Sequence, residues 1–285
     1  MKVLVTGVGG PAGRHVSQLL WQSGHQVIGV DMRAVTVPGL SAFYEAPAVG
    51  DPEYVAWLAA VAQHADLIIP TVQEELPILA RAQNRLPRPV LIAPALAVAI
   101  AHDKYETARS LAAAHLPVPC FSRPSQLTTA SVVETTLGWP CLSKPRMGRG
   151  GRGVTIYDTP ADFPALSTLD DQYIVQEFVP GTEYAVNLFL DDKRETVIVL
   201  EKTVLREGRT GNAEQVRRVE VPDVAGTAVA AARALGLTGP VDMDIRRRAS
   251  GEPVVLEINA RFGANITHAP EVFAAALASR NPAPC

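Results

Sequence analysis

The densest chemistry in this chain lies in the run Glu257-Ile258-Asn259-Ala260-Arg261. Residues 254–257 read as a strand that leads into it. Alternate residues of a strand face the same side, so Glu257, Asn259 and Arg261 point into one space. Asp244 falls on a second predicted strand, 239–246, joined to the first by a hairpin around 247–252, and is placed to face them. Two carboxylates and an amide oxygen suit Mg²⁺, which takes oxygen ligands and keeps bonds to phosphate. Arg261 beside such an ion would neutralise charge on a transferring phosphoryl group. Without a ligand, the same segment would be a half-exposed strand edge.

A second constellation precedes it. Lys144-Pro145 ends a predicted strand at 141–144 and runs into Arg146-Met147-Gly148-Arg149-Gly150-Gly151-Arg152-Gly153. Glycines such as Gly150 and Gly151 let backbone N–H groups turn toward phosphate oxygens without a Cβ clash. Arg146 and its neighbours add charge-assisted hydrogen bonds, and a lysine is a compact, donor-rich charge for the same anion. A strand resumes at 154–157. The loop therefore joins two strands instead of opening a helix, which excludes a Walker-type phosphate loop. A flexible hairpin tip would have the same composition.

With Asp103-Lys104 opening a helix and Gln176-Glu177-Phe178-Val179-Pro180-Gly181-Thr182-Glu183 further on, these elements stand in an order that resembles the ATP-grasp superfamily. The likeness is to its carbamoyl-phosphate-synthase-like and amino-acid-ligase-like members, and it covers nearly the whole chain. It implies that Lys104 and Lys144 reach the phosphates of ATP, with Arg146, Gly150 and Gly151 in a flap that closes over them and excludes water. It implies that the backbone near Phe178 and Val179 pairs with the adenine edge, with Glu177 close by. Glu183 would accept from ribose hydroxyls, a role suited to a carboxylate. Asp244, Glu257 and Asn259 become the metal ligands, for Mg²⁺ or alternatively Mn²⁺. Asp244 stands where relatives often carry Glu or Gln. Arg261 and Gly263 complete the family's E-x-N-x-R-x-G ending.

The activity implied is an ADP-forming ligase that joins a small-molecule carboxylate to an amine through an acyl phosphate. Lys144 and Arg261 would be catalytic. Arg209, in the loop 206–211, is the candidate cation for the substrate carboxylate; a surface loop would read the same way. Longer relatives carry a further C-terminal domain, so a homodimer or partner subunit is expected to complete the second-substrate site.

These residues need a scaffold. Predicted strands at 2–6, 26–30, 67–70 and 90–92 alternate with predicted helices at 12–23, 52–64 and 74–85, a rhythm that argues for an open parallel sheet. A helical stretch from Pro94 breaks near 101–103, where Asp103 can cap a helix at 104–115. Beyond it the pattern is mostly antiparallel: strands at 173–178, 183–190 and 196–201, a polar loop at 204–214, and helices at 131–137, 225–235 and 269–278. The expected fold is α/β followed by α+β: a Rossmann-like pre-ATP-grasp domain at 1–101, then a two-lobed ATP-grasp domain at 102–285, divided near 178.

Two other readings compete. Gly7-Val8-Gly9-Gly10-Pro11-Ala12-Gly13 follows a strand, opens a helix and is followed by Asp31, a pattern that fits NAD(P) binding in a reductase or epimerase. No Tyr-x-x-x-Lys pair accompanies it, and a tight strand-to-helix turn needs the same glycines. The second is a non-catalytic ATP-binding subunit. Bulk properties narrow the field. The chain has 285 residues, 47% of them hydrophobic and 19% charged, with a formal charge of −3. That balance gives no reason to expect nucleic acid or an anionic membrane surface, and no apolar run is long enough to span a bilayer. Cys120, Cys141 and Cys285 lie far apart and form no metal or disulfide pattern, as expected of reduced thiols in a cytoplasmic protein.

Overall fold

A computed structural model describes residues 1–148 and 150–280; Arg149 and Cys285 lie outside the described residues. The first part is built on β1 (Lys2–Thr6), α1 (Pro11–Gln22), β2 (Gln26–Asp31), β3 (Leu40–Glu45), α2 (Tyr54–Ala62), β4 (Leu67–Ile69), α3 (Leu76–Ala82) and α4 (Ala95–His102). Its four strands pair in parallel in the order β3-β2-β1-β4. A parallel sheet is covered on both faces, which is why its strands read as continuous apolar runs. Val3 and Val5 pack with Val16 and Leu20 of α1, while Leu4 and Ile68 pack with Leu58 and Leu79 of α2 and α3.

In this first part three details differ from the sequence expectation. The strand expected at 90–92 is a single bridge from Val90 to Ile68. The strand Leu40–Glu45 was not anticipated. The helix expected over 74–85 is interrupted, with a 3₁₀ turn at Gln73–Glu75 before α3, whose first turn holds Pro77. That turn buries Glu75 completely, where it accepts hydrogen bonds from the Thr6 and Tyr54 hydroxyls and from Val72 N–H.

The second part begins with α5 (Lys104–Ala113) and continues through β5 (Phe121–Ser122), α6 (Ala130–Thr136), β6 (Cys141–Pro145), β7 (Thr155–Tyr157), α7 (Phe163–Leu166) and β8 (Tyr173–Glu177). These strands form an antiparallel sheet in the order β5-β8-β6-β7. Then come β9 (Glu183–Leu190), β10 (Glu195–Leu205), β11 (Ala213–Val219), α8 (Pro222–Ala234), β12 (Gly239–Arg247), β13 (Pro253–Asn259) and α9 (Pro270–Ala278). They build a five-stranded antiparallel sheet, β11-β10-β9-β12-β13. Among the described residues no helix is long and apolar enough to cross a membrane.

The central strand β9 is buried along its whole length. One face, Tyr184, Val186, Leu188 and Leu190, packs on Val224, Ala228, Ala231 and Ala232 of α8. The other face is divided. Phe189 packs with Phe273 of α9, whereas Glu183 and Asn187 are buried polar residues. This polar half is the floor of the cleft described next.

Candidate functional site

Strand register brings the acidic residues together. On β12, Asp242 and Asp244 face Asn259 and Glu257 of β13, and they face Asn187 and Ala185 of β9 on the other side. The register then slips, with Ile245 opposite Val255, so Leu256 is an extra residue on β13. A bulge of this kind bends the strand and re-aims its groups. Here it turns the Leu256 carbonyl to accept a hydrogen bond from Lys144 Nζ at 2.9 Å. The cavity above this floor has a volume of about 420 Å³, and Asp242, Asp244, Glu257, Asn259 and Arg261 all line it.

Three lysines meet these acids from three different elements. Lys104, at the start of α5, lies 3.4 Å from Glu257 Oε1 and donates to the Gly148 carbonyl at 3.0 Å. Lys144 ends β6. Burial pushes its ammonium down to about 8, with Glu257 opposing the shift and Lys104 adding to it. Lys202 was not singled out in the sequence, yet it bridges Glu183 Oε1 at 2.7 Å and Asp244 Oδ1 at 2.8 Å. Burial opposes the charge of Lys202, but Asp244 and Glu183 more than offset it and hold the ammonium above its ordinary value.

Two loops overhang the cavity. Gly150 and Gly151 adopt φ values of +67° and +70°, a left-handed conformation that glycine takes without strain. A Cβ on Gly151 would stand 3.0 Å from Gly211 Cα, so the two loops lie against each other. Lys144, Gly150 and Gly151 line the cavity; Arg146 is not among its lining residues. Its guanidinium grips Asp103 through Nε and Nη2, donates to the Asp171 carbonyl, and lies over the Tyr105 ring. Asp103 also caps α5 by accepting from Tyr105 N–H at 2.9 Å. Arg146 therefore fastens the root of the glycine loop to the helix carrying Lys104. Arg209 is likewise turned elsewhere. It pairs with Asp158 at 2.8 Å and sits 4.5 Å from the centre of the Phe178 ring. The arginine of this loop that lines the cavity is Arg206.

At the other end, Gln176, Glu177, Val179 and Glu183 line the cavity. The guanidinium groups of Arg209 and Arg246 lie 4.5 Å and 5.2 Å from the centre of the Phe178 ring, and Phe178 N–H donates to the Pro140 carbonyl at 3.1 Å. Glu183 is committed to Lys202 and lies 3.5 Å from Arg246 Nε. Glu177 is tied to Arg248 at 2.8 Å and accepts from Cys120 N–H at 2.9 Å. Burial alone would raise the Glu177 carboxyl, but these partners hold it below the usual range. Arg248 also donates to the Val118 carbonyl at 3.0 Å, and Val255 N–H donates to Pro117 at 3.0 Å. The β12–β13 hairpin is thus stitched to the segment that enters β5.

A family model of the ATP-grasp domain matches residues 101–265, more than half of the chain. The chain belongs to the ATP-grasp family. It is 29% identical over 203 residues to a D-alanine–D-alanine ligase of Gloeobacter violaceus, covering 63% of this chain and 66% of that one. It is 29% identical over 130 residues to the carbamoyl phosphate synthase large chain of Thermotoga petrophila, covering 44% of this chain and 11% of that one. Among solved structures, an L-amino acid ligase from Bacillus licheniformis superposes with a TM-score of 0.71 at 19% identity, covering 94% of this chain and 69% of that one. That last likeness concerns the fold.

An ATP-grasp site implies a divalent cation, and the donor set can be tested for one. Among the described residues no three His, Cys, Asp or Glu side chains form a metal cluster by themselves. The set here is two carboxylates and an amide, Asp244, Glu257 and Asn259, which suits an ion that completes its shell with phosphate oxygens and water. Asn259 Oδ1 is buried without a hydrogen-bond partner. A buried acceptor of this kind costs stability unless a ligand satisfies it, so the residues fit the ion. The glycine turn of the first part has a local explanation: Gly9 N–H donates to Asp31 Oδ2 at 2.8 Å. The acid that a dinucleotide ribose would need is closed onto the turn itself.

Two participants escaped the sequence reading. Asp242 stands two residues before Asp244, so strand alternation was a signal that could have found it. Lys202 lies beyond the end of the strand expected at 196–201, and no local pattern marks it.

Proposed function

We propose that this chain is an ATP-dependent carboxylate–amine ligase that works through an acyl phosphate. The observation that carries the reading is the orphaned Asn259 Oδ1 on the face it shares with Asp244 and Glu257, with Lys104, Lys144 and Lys202 converging on it. A substrate carboxylate oxygen attacks the γ-phosphorus of ATP, the bond to the β-phosphate oxygen breaks, and ADP leaves. An amine nitrogen then attacks the acyl carbon, phosphate departs, and the amine loses a proton. Little acid–base chemistry is asked of the protein. Its work is positioning and charge neutralisation.

In this reading Lys104, Lys144 and Lys202 release their carboxylate and carbonyl partners and turn to phosphate oxygens. Asp244, Glu257 and Asn259 hold the ion, Mg²⁺ with Mn²⁺ as alternative, which when bound polarises the phosphates and neutralises their charge. Gly150 and Gly151 cover the triphosphate with backbone N–H groups. Val179 and Gln176 flank the base, Glu183 takes the ribose, and Arg206 supplies the cation for the carboxylate. Arg261 meets the transferring phosphoryl group. The parallel sheet up to residue 101 is proposed as a pre-ATP-grasp domain and the remainder as two lobes closing on the cleft. The protein is proposed to be cytoplasmic, with a homodimer or partner subunit completing the acceptor side.

The test is ADP release from Mg-ATP across pairs of small acids and amino acids. Release that requires both a carboxylate and an amine supports the ligase. Mg-ATP binding with no release under any pair would instead support a non-catalytic nucleotide-binding subunit.

A further inference from the structure

We propose that Asp242 is a positioning residue for Arg261, anchoring one corner of its guanidinium so that the remaining N–H groups face the transferring phosphoryl group. This deepens the ligase reading and rests on it. Arg261 Nη1 donates to Asp242 Oδ2 at 2.8 Å and to the Phe262 carbonyl at 2.9 Å. Both side-chain hydrogen bonds found for Arg261 among the described residues run through that one nitrogen. The Nε and Nη2 edge is left for an oxyanion, which a guanidinium grips with two parallel bonds. Each side chain is 14% exposed, so the attraction is less screened than at a surface.

The surroundings of Asp242 favour a functional role. It stands in register between Asn187 and Asn259, which makes a polar row across three strands. Burying such a row costs stability unless its groups are satisfied, yet neither amide atom of Asn187 has a partner. Packing alone would favour apolar residues, as at Phe189 on the same face. Close approach is enforced as well. A Cβ on Gly263 would stand 2.4 Å from Asp242 Oδ1, so glycine is what lets the carboxylate lie against the turn that carries Arg261. Asp242 Oδ2 is engaged by Arg261, whereas the proposed metal ligands Asp244 and Glu257 are paired with Lys202 and Lys104.

The test uses calorimetry with two probes on the full chain: Mg-ADP alone, and Mg-ADP with aluminium fluoride as a mimic of the transferring phosphoryl group. Asp242→Ala is expected to leave Mg-ADP affinity within about twofold and to weaken the fluoride complex at least about tenfold, the scale of one hydrogen bond to a charged group. Asp242→Asn keeps an acceptor oxygen and should recover part of the loss. Adding Asp242→Ala to Arg261→Lys should cost no more than Arg261→Lys alone, since the two act as one unit. Weakened Mg-ADP binding in Asp242→Ala would make Asp242 a metal ligand and overturn the proposal, as would wild-type behaviour with both probes. If Arg261→Lys itself leaves the fluoride complex unchanged, the role assigned to Arg261 fails first. Should Asp242→Ala not fold, Asp242→Asn carries the same comparison.

Discussion

Lys202 and Asp244 meet at 2.8 Å on the floor of the cleft, with Glu183 closing the other side of the same ammonium at 2.7 Å. One buried cation therefore neutralises a proposed metal ligand and a proposed ribose acceptor together. Removing it leaves two carboxylates facing each other in a poorly solvated place. Lys202→Met is expected to cost on the order of 3 kcal/mol, the scale for breaking a buried pair. Thermal unfolding should show a Tm lower by roughly 6–12 °C. Excess Mg²⁺ should restore part of that loss, because a divalent ion can replace the missing charge at Asp244. An unchanged Tm would mean that the bridge contributes nothing.

Asn259→Ala and Glu257→Gln should separate metal binding from folding. Asn259 Oδ1 has no partner to lose, so Asn259→Ala should be within about 1 kcal/mol of wild type in urea unfolding. The enhancement of ADP affinity by Mg²⁺ should disappear in both variants, while binding of ADP without the ion persists. Normal enhancement in either variant removes that residue from the metal set.

Lys144 should impose a pH dependence on nucleotide binding. Its ammonium is pushed down to about 8 by burial. Below that value it is charged and attracts phosphate; as pH rises through it, the proton is lost and the attraction with it. ADP affinity measured by calorimetry should fall above pH 8. Lys144→Arg, which stays protonated, should flatten that fall, and Lys144→Ala should weaken binding about tenfold or more at pH 7. A profile of unchanged shape in Lys144→Arg would assign the dependence to another group.

Asp103 couples acid stability to the root of the glycine loop. Burial alone would raise its carboxyl, but Arg146 and the N–H groups of α5 more than offset this and hold it below the usual range. A carboxyl depressed in the folded state stabilises fully above its unfolded value, about pH 4. That contribution fades as pH falls through the lower folded value. Asp103→Asn keeps a good helix cap and removes the ion pair, so urea unfolding from pH 3 to 7 should show a shallower acid loss than wild type. Asp103→Ala should cost about 1 kcal/mol more at pH 7, since it also removes the cap.

Elements with strong local periodicity were legible in the sequence. The strand Glu183–Leu190 has the predicted limits, because its apolar run is bounded by Pro180-Gly181 and by the turn at Asp191. The cap at Asp103 was legible from residue type alone. The strand Ala213–Val219 was hidden because it is an edge strand, with solvent on its outer side and the polar composition of a loop. The shared face of Glu257 and Asn259 was legible because strand alternation projects both to one side. The alternative partners of Arg146 and Arg209 were not: Asp103 lies 43 residues from Arg146, and Asp158 lies 51 from Arg209. Sequence spacing gives no direction to such long, flexible side chains.

The stitching of the β12–β13 hairpin to residues 117–120 has a mechanical consequence. Arg248 holds Glu177 at the end of β8 and the Val118 carbonyl just before β5, so both outer connections of the four-stranded sheet are pinned to one arginine. A tilt of that sheet toward the five-stranded one would pivot near Arg248 and break the link from Lys144 to the Leu256 carbonyl, with the glycine loop moving more than the face of Glu257 and Asn259.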